Sequence, residues 1–173
     1  MGPSKIGKGR FLDVDQHPHI GLSTLTYLFE GEIEHKDSIG SKQVIRPGDV
    51  GFMTSGKAVT HTERTPQELR NIETILHGYQ IWVALPIEKE DMEPQFDFFA
   101  SESLPSWEEN GLTLKLVAGK AFGRSAPLQG YTPLFMVDIL ANTSATLDLR
   151  NQLKGEVAFV IVKGCITEDG NQI

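Results

Sequence analysis

The sequence predicts an all-β protein, built as a sandwich or barrel of short strands. Its 17 glycines and 9 prolines break the chain at short intervals. The runs between these breaks are rich in β-branched and aromatic residues, which favour strands. No segment keeps an apolar repeat at helical spacing. Many short strands separated by turn residues are typical of a sandwich or a barrel.

Eight runs fit strands, because each is rich in apolar or β-branched residues and is bounded by turn-forming residues. In chain order they are residues 23–29, 43–45, 49–54, 71–85, 112–119, 134–140, 145–149 and 156–162. The helix candidate is the short stretch 87–92, which Pro86 would open as a first-turn residue. Near the end of the sequence, Asp169-Gly170 predicts a two-residue hairpin turn.

The distribution of charge predicts two β-rich units in the 173 residues, a length that suits one domain or two small ones. Residues 88–109 contain eight acidic residues and one lysine, which is typical of a solvated connecting segment. We therefore expect a first unit at residues 1–87, an acidic connection at 88–110 and a second unit at 111–173. Few residues follow the predicted Asp169-Gly170 turn, fewer than a typical strand of ~5 residues. The second unit is therefore expected to be incomplete.

The composition argues against several classes of partner. Sixteen Lys and Arg against 23 Asp and Glu give a net charge of −7, so direct nucleic-acid binding through the phosphates is not expected. No apolar run approaches the ~20 residues of a membrane span, and the first fifteen residues contain no apolar signal core. The single cysteine excludes an internal disulfide. We expect a cytoplasmic protein without a membrane partner.

The histidines predict a metal site in the first half of the chain. All five lie within the first 77 residues: His17, His19, His35, His61 and His77. His17 and His19 are two residues apart, as are His61 and Glu63, so on strands each pair shares one face. If the two segments face each other in a barrel, they supply three nitrogens and one carboxylate oxygen. That ligand set suits iron, and nickel, copper or manganese would also fit.

Other residues have simpler interpretations. We expect His35 to be a hydrogen-bonded residue of a strand or of the barrel mouth rather than a ligand, and His77 to pack in the barrel wall. Cys165 lies in an apolar run and is expected to be a small core residue. The glycine-rich stretch 119–123 lacks the Lys-Ser/Thr ending of a phosphate loop, so it predicts a turn.

Two segments strongly resemble the pirin family of the cupin superfamily. They are HPHIGLSTLTYLFEGEIEHKDSIGS and RPGDVGFMTSGKAVTHTERTP. The family pattern has a His-Pro-His opening, a strand ending in Glu-Gly, a Pro-Gly-Asp turn, a Met-Thr-x-Gly segment and a closing His-x-Glu. Each element is present at the family's spacing, the last as His61 and Glu63. The resemblance is highly specific in residues 17–85 and weaker from Ala121 to Cys165.

The resemblance implies a cupin (jelly-roll) β-barrel fold in a bicupin arrangement, with the second barrel apparently truncated in this chain. It implies one divalent metal ion per chain, usually Fe²⁺, with Ni, Cu, Mn, Zn or Co as alternatives. The ligands that carry over are His17, His19, His61 and Glu63. Generic cupins take a Glu ligand from the region of Leu22 and Ser23, whereas the pirin pattern takes its carboxylate from Glu63. Two explanations of the truncated barrel remain open at this point: the sequence is a fragment of a longer protein, or a second copy or another chain completes the second barrel.

Three interpretations of the protein are compatible with this resemblance. In the first, the protein is a quercetin 2,3-dioxygenase-like enzyme that opens flavonols with O2, and Glu63 is the general base that takes the substrate hydroxyl proton. In the second, it is a metal-binding or redox-sensing regulatory protein that binds partner proteins without turnover. In the third, it is a degraded fragment without metal, which the four intact ligands argue against. The same four ligands serve the first two functions, so both remain open at this stage.

Overall fold

The structure, a computed structural model, describes residues 1–168 and 171–172 and is nearly all β. The strands are β1 Ser4–Ile6, β2 Asp13–His19, β3 Leu22–Glu30, β4 Ile33–Asp37, β5 Lys42–Ile45, β6 Val50–Thr54, β7 Val59–Arg64, β8 Thr74–Ala84, β9 Gln95–Phe99, β10 Ser106–Glu109, β11 Leu112–Ala118, β12 Lys120–Ala121, β13 Arg124–Ser125, β14 Met136–Ala141, β15 Thr167–Glu168 and β16 Asn171–Gln172. Single 3-10 turns cover Gln67–Leu69, Ile87–Lys89 and Ser101–Ser103. Among the described residues, no helix has the length and apolar character needed to cross a bilayer.

Two antiparallel sheets form the first half of the molecule. The larger has the strand order β1-β8-β3-β6-β9, and the smaller has the order β2-β7-β4-β5. A buried cluster of apolar side chains from both sheets fills one end of the space between them: Ile6, Leu28, Ile33, Ile45 and Leu76. Because both sheets contribute to this cluster, they face each other and enclose a common interior.

The two faces of β3 explain how the halves of the molecule pack together. Leu25 and Tyr27 of β3 join a second cluster that includes Val117 and Leu128 from the second half. Alternate residues of β3 point the other way, since strand side chains alternate, and Leu28 enters the interior cluster between the sheets. Strand β3 is therefore buried on both faces along most of its length.

The second half contributes a three-stranded sheet with the order β10-β11-β14 and two small two-stranded sheets, β12-β13 and β15-β16. A direct polar contact joins it to the first half, because the Tyr27 hydroxyl donates to Asp138 Oδ2 on β14 at 2.8 Å. Strand β9, which lies inside the segment expected to be a connection, pairs with β6 as an edge strand of the larger sheet.

Six of the eight predicted strands are confirmed within one to three residues at their ends, as β3, β5, β6, β8, β11 and β14. The predicted strands at 145–149 and 156–162 are wrong, because neither segment is a strand in the structure. Residues 157 and 159–162 are exposed, so their β propensity is not supported by a neighbouring strand or by burial. The helix candidate at 87–92 is reduced to the single turn Ile87–Lys89 after Pro86.

Two further expectations concern the end of the chain. Cys165 is exposed, so its assignment as a core residue is wrong: the apolar run that suggested burial does not pack against the rest of the protein. The predicted Asp169-Gly170 turn lies outside the described residues.

Candidate metal centre

Strand alternation directs the predicted ligands of β7 into the interior. Along β7 the side chains at Val59, His61 and Glu63 are buried, and the residues between them are half-buried. Strand β2 lies beside β7, with His17 opposite His61. Strand β2 is an edge strand of its sheet, which is where a proline such as Pro18 is tolerated, because one of its sides needs no backbone donor.

The structure brings the three predicted histidine ligands together. The ring centroids of His17 and His61 are 4.4 Å apart, those of His17 and His19 are 5.0 Å apart, and those of His19 and His61 are 5.1 Å apart. One ligand nitrogen from each ring lies within 4.8 Å of the other two. Among the described residues, this group consists of the three histidines and does not include Glu63.

Two of these imidazoles have a buried nitrogen without a partner. His19 Nε2 and His61 Nε2 are buried and form no hydrogen bond with the described residues. Buried polar atoms in proteins are nearly always paired, so an unpaired atom calls for an explanation such as an ion or a water molecule. Two such nitrogens in one histidine cluster fit a metal ion, because neutral imidazole is a common ligand of first-row metals.

A backbone contact orients the third imidazole. His17 Nδ1 lies 2.9 Å from the carbonyl oxygen of Asp15. A carbonyl oxygen only accepts, so His17 Nδ1 carries a proton, and in the neutral ring the lone pair then lies on Nε2. A hydrogen bond from the second ring nitrogen is the usual way in which proteins orient a metal-binding histidine.

His35 lies directly behind His61 in the interior. The two Nδ1 atoms are 3.4 Å apart, and His35 Nε2 lies 3.0 Å from Asp37 Oδ2. The ring of Phe96 stacks on His35 with a centroid distance of 4.2 Å and an interplanar angle of 12°. The expectation that His35 is a hydrogen-bonded strand residue is therefore confirmed.

Glu63 is held by residues that the sequence did not single out as part of a site. The Gln80 side-chain amide donates to Glu63 Oε1, and Gln80 Oε1 accepts from Trp82 Nε1 at 3.4 Å. The Trp82 ring also contacts the His19 ring edge-on at a centroid distance of 5.0 Å. The sequence feature that could have grouped these two residues is the alternation of side chains along β8, which places Gln80 and Trp82 on the same face of the strand.

Burial sets the protonation of the cluster. Burial, followed by the neighbouring imidazoles, lowers the pKa of His61 to about 3. Burial and the nearby His17 also lower the pKa of His19. Metal binding requires deprotonated imidazole nitrogens, so both rings have the form that a metal ion needs at neutral pH. Burial raises the pKa of Glu63, which makes its carboxylate a better proton acceptor.

Comparison with known proteins agrees with this geometry. Residues 1–83 match the family model described as Pirin. The chain is 43% identical over 176 residues to a pirin-like protein of Caulobacter vibrioides, which covers 100% of this chain and 60% of that protein. It is 37% identical over 122 residues to Pirin-1 of Arabidopsis thaliana, which covers 70% of this chain and 40% of that protein.

A solved structure shows the same fold. The crystal structure described as quercetin 2,3-dioxygenase from Acinetobacter baumannii is 41% identical and has a TM-score of 0.76. The likeness covers 83% of this chain and 46% of that one. It confirms the predicted all-β, cupin-type fold. The chain spans about half the length of the relatives it matches.

Proposed function

Residues 1–83 carry a domain of the pirin family, and on this premise we propose that the protein is a metal-dependent, quercetin 2,3-dioxygenase-like enzyme. The proposed ligands of one divalent metal ion, Fe²⁺ in this proposal, are His17, His19, His61 and Glu63. The proposed substrates are a flavonol such as quercetin and O2. The Acinetobacter baumannii structure described as quercetin 2,3-dioxygenase supports this choice of reaction class.

The observation that carries the proposal is the pair of unpartnered nitrogens, His19 Nε2 and His61 Nε2. They belong to rings that lie close to His17 in the same interior. Three imidazole nitrogens form a ligand set that leaves further coordination positions open for substrates. Burying imidazoles costs more free energy than burying apolar side chains at the same position. The presence of this donor set in the interior therefore supports a metal ion as its ligand.

The proposed metal ion would supply Lewis-acid and redox chemistry to a bound flavonol and O2. Glu63 is the proposed general base, since its buried carboxylate has a raised pKa and lies two residues from His61 on the same face of β7. The Gln80 amide donates to Glu63 Oε1 and so orients the carboxylate. Because the hydrogen bond from Gln80 occupies one lone pair of that oxygen, the remaining lone pairs of the carboxylate stay free for a ligand bond or a proton.

The large aromatic side chain beside the site has a proposed role in substrate binding. Trp82 is 62% exposed although it touches the His19 ring. An exposed indole next to a ligand ring offers an apolar face to a flat aromatic molecule. We therefore place the flavonol rings against Trp82.

We further propose that metal is bound only by the first unit, residues 1–87, and that residues 111–173 form a second unit without metal. The chain has no histidine after His77, so the second half cannot repeat the three-imidazole site. Metal analysis that returns two tightly bound ions per chain would contradict this division.

The activity test combines metal analysis with oxygen uptake. Protein loaded anaerobically with Fe²⁺ should consume quercetin and O2 together, and His61→Ala should lose both the metal and the activity. Glu63→Gln should either weaken metal binding or keep the metal and lose the uptake. His77→Gln is the matched control, because His77 contacts Phe29 and lies outside the ligand cluster. Loaded protein without uptake on several flavonols would contradict the enzyme and favour the regulatory alternative.

A further inference from the structure

We propose that Asp37 and His35 are positioning residues that fix the tautomer of His61, so that its proton sits on Nδ1 and its lone pair on Nε2. The value of this tautomer for metal binding rests on the proposed function. The tautomer itself is a property of the metal-free protein and can be measured without any metal.

The three side chains form one buried line on neighbouring strands. His35 and Asp37 lie on β4, and β4 pairs with β7 with Asp37 opposite His61. The line runs from Asp37 Oδ2 to His35 Nε2 over 3.0 Å, and from His35 Nδ1 to His61 Nδ1 over 3.4 Å. It ends at His61 Nε2, one of the two buried nitrogens of the cluster that form no hydrogen bond with the described residues.

The chemistry of each atom fixes the direction of the hydrogen bonds. A carboxylate oxygen only accepts, so His35 Nε2 must carry a proton and donate it to Asp37. His35 is 3% exposed and stacked on Phe96, and such surroundings favour a neutral imidazole. A neutral ring that donates from Nε2 keeps its lone pair on Nδ1. That lone pair can only accept from His61, so His61 Nδ1 carries the proton and Nε2 presents its lone pair to the cluster.

The first residue of this line is held firmly. The side chain of Asp37 is fully buried, at 0% exposure. Its other oxygen, Oδ1, accepts from the backbone N–H of Ile39 at 3.1 Å and from that of Ser41 at 2.8 Å. His35 is also buried, at 3% exposure, and is covered by the stacked ring of Phe96. Both side chains are therefore buried and held by these contacts.

These contacts predict what an isosteric change does. In Asp37→Asn the amide oxygen must stay at the Oδ1 position, because two backbone donors point at it. The amide NH2 then occupies the Oδ2 position and donates to His35 Nε2. His35 must now carry its proton on Nδ1 and donate to His61 Nδ1, which moves the His61 proton to Nε2. The variant therefore reverses the donor and acceptor of both hydrogen bonds and leaves the positions of the side chains unchanged.

The first measurement is the ¹⁵N NMR spectrum of the histidine rings in the metal-free chain. Protonated and unprotonated ring nitrogens are separated in their ¹⁵N shifts, so the tautomer is read directly. We expect the Nδ1–H tautomer of His61 in the wild-type protein and the Nε2–H tautomer in Asp37→Asn. A wild-type His61 that carries its proton on Nε2 overturns the proposal, even if the variant fails to fold.

The second measurement is Ni²⁺ affinity by calorimetry, with Ni²⁺ chosen because it is stable in air. Loss of such an outer partner typically reduces metal affinity by about 10- to 100-fold, and we expect this for Asp37→Asn. The control Asp148→Asn removes the same charge from an exposed residue paired with Arg150 and should leave affinity unchanged. His35→Phe keeps an aromatic ring under Phe96 but removes the acceptor, so it should leave His61 as a mixture of tautomers with intermediate affinity.

The two proposals fail in different ways. If wild-type protein has the Nδ1–H tautomer but binds no Ni²⁺, the metal site is wrong and the positioning of His61 stands. If wild-type protein binds Ni²⁺ and Asp37→Asn neither changes the tautomer nor weakens binding, the positioning is wrong and the metal site stands.

Discussion

Removing one hydroxyl should measure how strongly the two halves of the molecule are coupled. The Tyr27 side chain is 2% exposed and donates across the interface to Asp138 Oδ2 at 2.8 Å. The change Tyr27→Phe keeps the ring in its cluster and deletes only this hydrogen bond. Hydrogen bonds to charged groups contribute about 1.5–3 kcal/mol. Because Asp138 is half-buried and water can replace part of the bond, we expect about 1.5 kcal/mol.

The assay is urea unfolding of the metal-free protein, followed by a double-mutant cycle. A loss of this size corresponds to about 3–6 °C in Tm for a chain of this length. In the Asp138→Ala background, Tyr27→Phe should cost less than about 0.5 kcal/mol, because the partner is already gone. If the cost of Tyr27→Phe is the same in both backgrounds, the hydrogen bond does not couple the halves and the reasoning is refuted.

The same residue gives a pH dependence with a definite sign. Burial, followed by the charge of Asp138, raises the pKa of Tyr27 in the folded protein. An unfolded tyrosine loses its proton near pH ~10, while the folded Tyr27 keeps it. The folded state then binds more protons than the unfolded state, so stability falls as pH rises above about 10. This alkaline loss should be smaller in Tyr27→Phe, and an identical loss would show that Tyr27 ionises normally in the folded protein.

Three further predictions test the fold and the last part of the described chain. Leu28→Ala removes a side chain that is 1% exposed from the interior cluster and should cost about 2–5 kcal/mol in urea unfolding; a loss under 1 kcal/mol would contradict the enclosed core. Backbone hydrogen exchange should be slow around His61 and faster in residues 154–167, where the side chains are mostly exposed; equal rates would contradict a more stable first half. Cys165 is exposed and should react with a thiol reagent in the folded protein, whereas protection until unfolding would show that it is buried.

The proximity of His17, His19 and His61 could be anticipated from one local rule together with an assumed barrel. Residues two apart on a strand share a face, and this rule paired His17 with His19 and His61 with Glu63. The position of His35 beside His61 could not be predicted from residue spacing. It faces His61 because β4 pairs with β7 in a particular register, and sequence spacing contains no information about register between strands. The contact of Gln80 with Glu63 crosses from one sheet to the other, so it depends on the packing of the whole barrel.

The strand errors have a related cause. Residues 156–162 have the composition of a buried strand, yet Phe159 and Val160 are exposed. Composition reports the preference of the chain for an extended form, whereas a strand also requires a neighbouring backbone to pair with. Strands β2 and β4 are the opposite case. Their polar sequences, DVDQHPH and IEHKD, were not predicted as strands, although both are held in the sheet by β7.

The two ends of the barrel interior contain different kinds of side chain. At one end, side chains such as Leu28 and Ile33 fill the space without polar atoms, and their burial favours folding. At the other end, His19 Nε2 and His61 Nε2 are buried without partners, and each such group costs about 1–3 kcal/mol. A fold selected only for stability would replace these imidazoles with apolar side chains. Binding of a ligand can offset this cost, because a ligand at a free concentration of 100 times its Kd stabilises the folded state by about 2.7 kcal/mol. The apolar end of the barrel therefore supplies stability that offsets the cost of burying the histidine cluster.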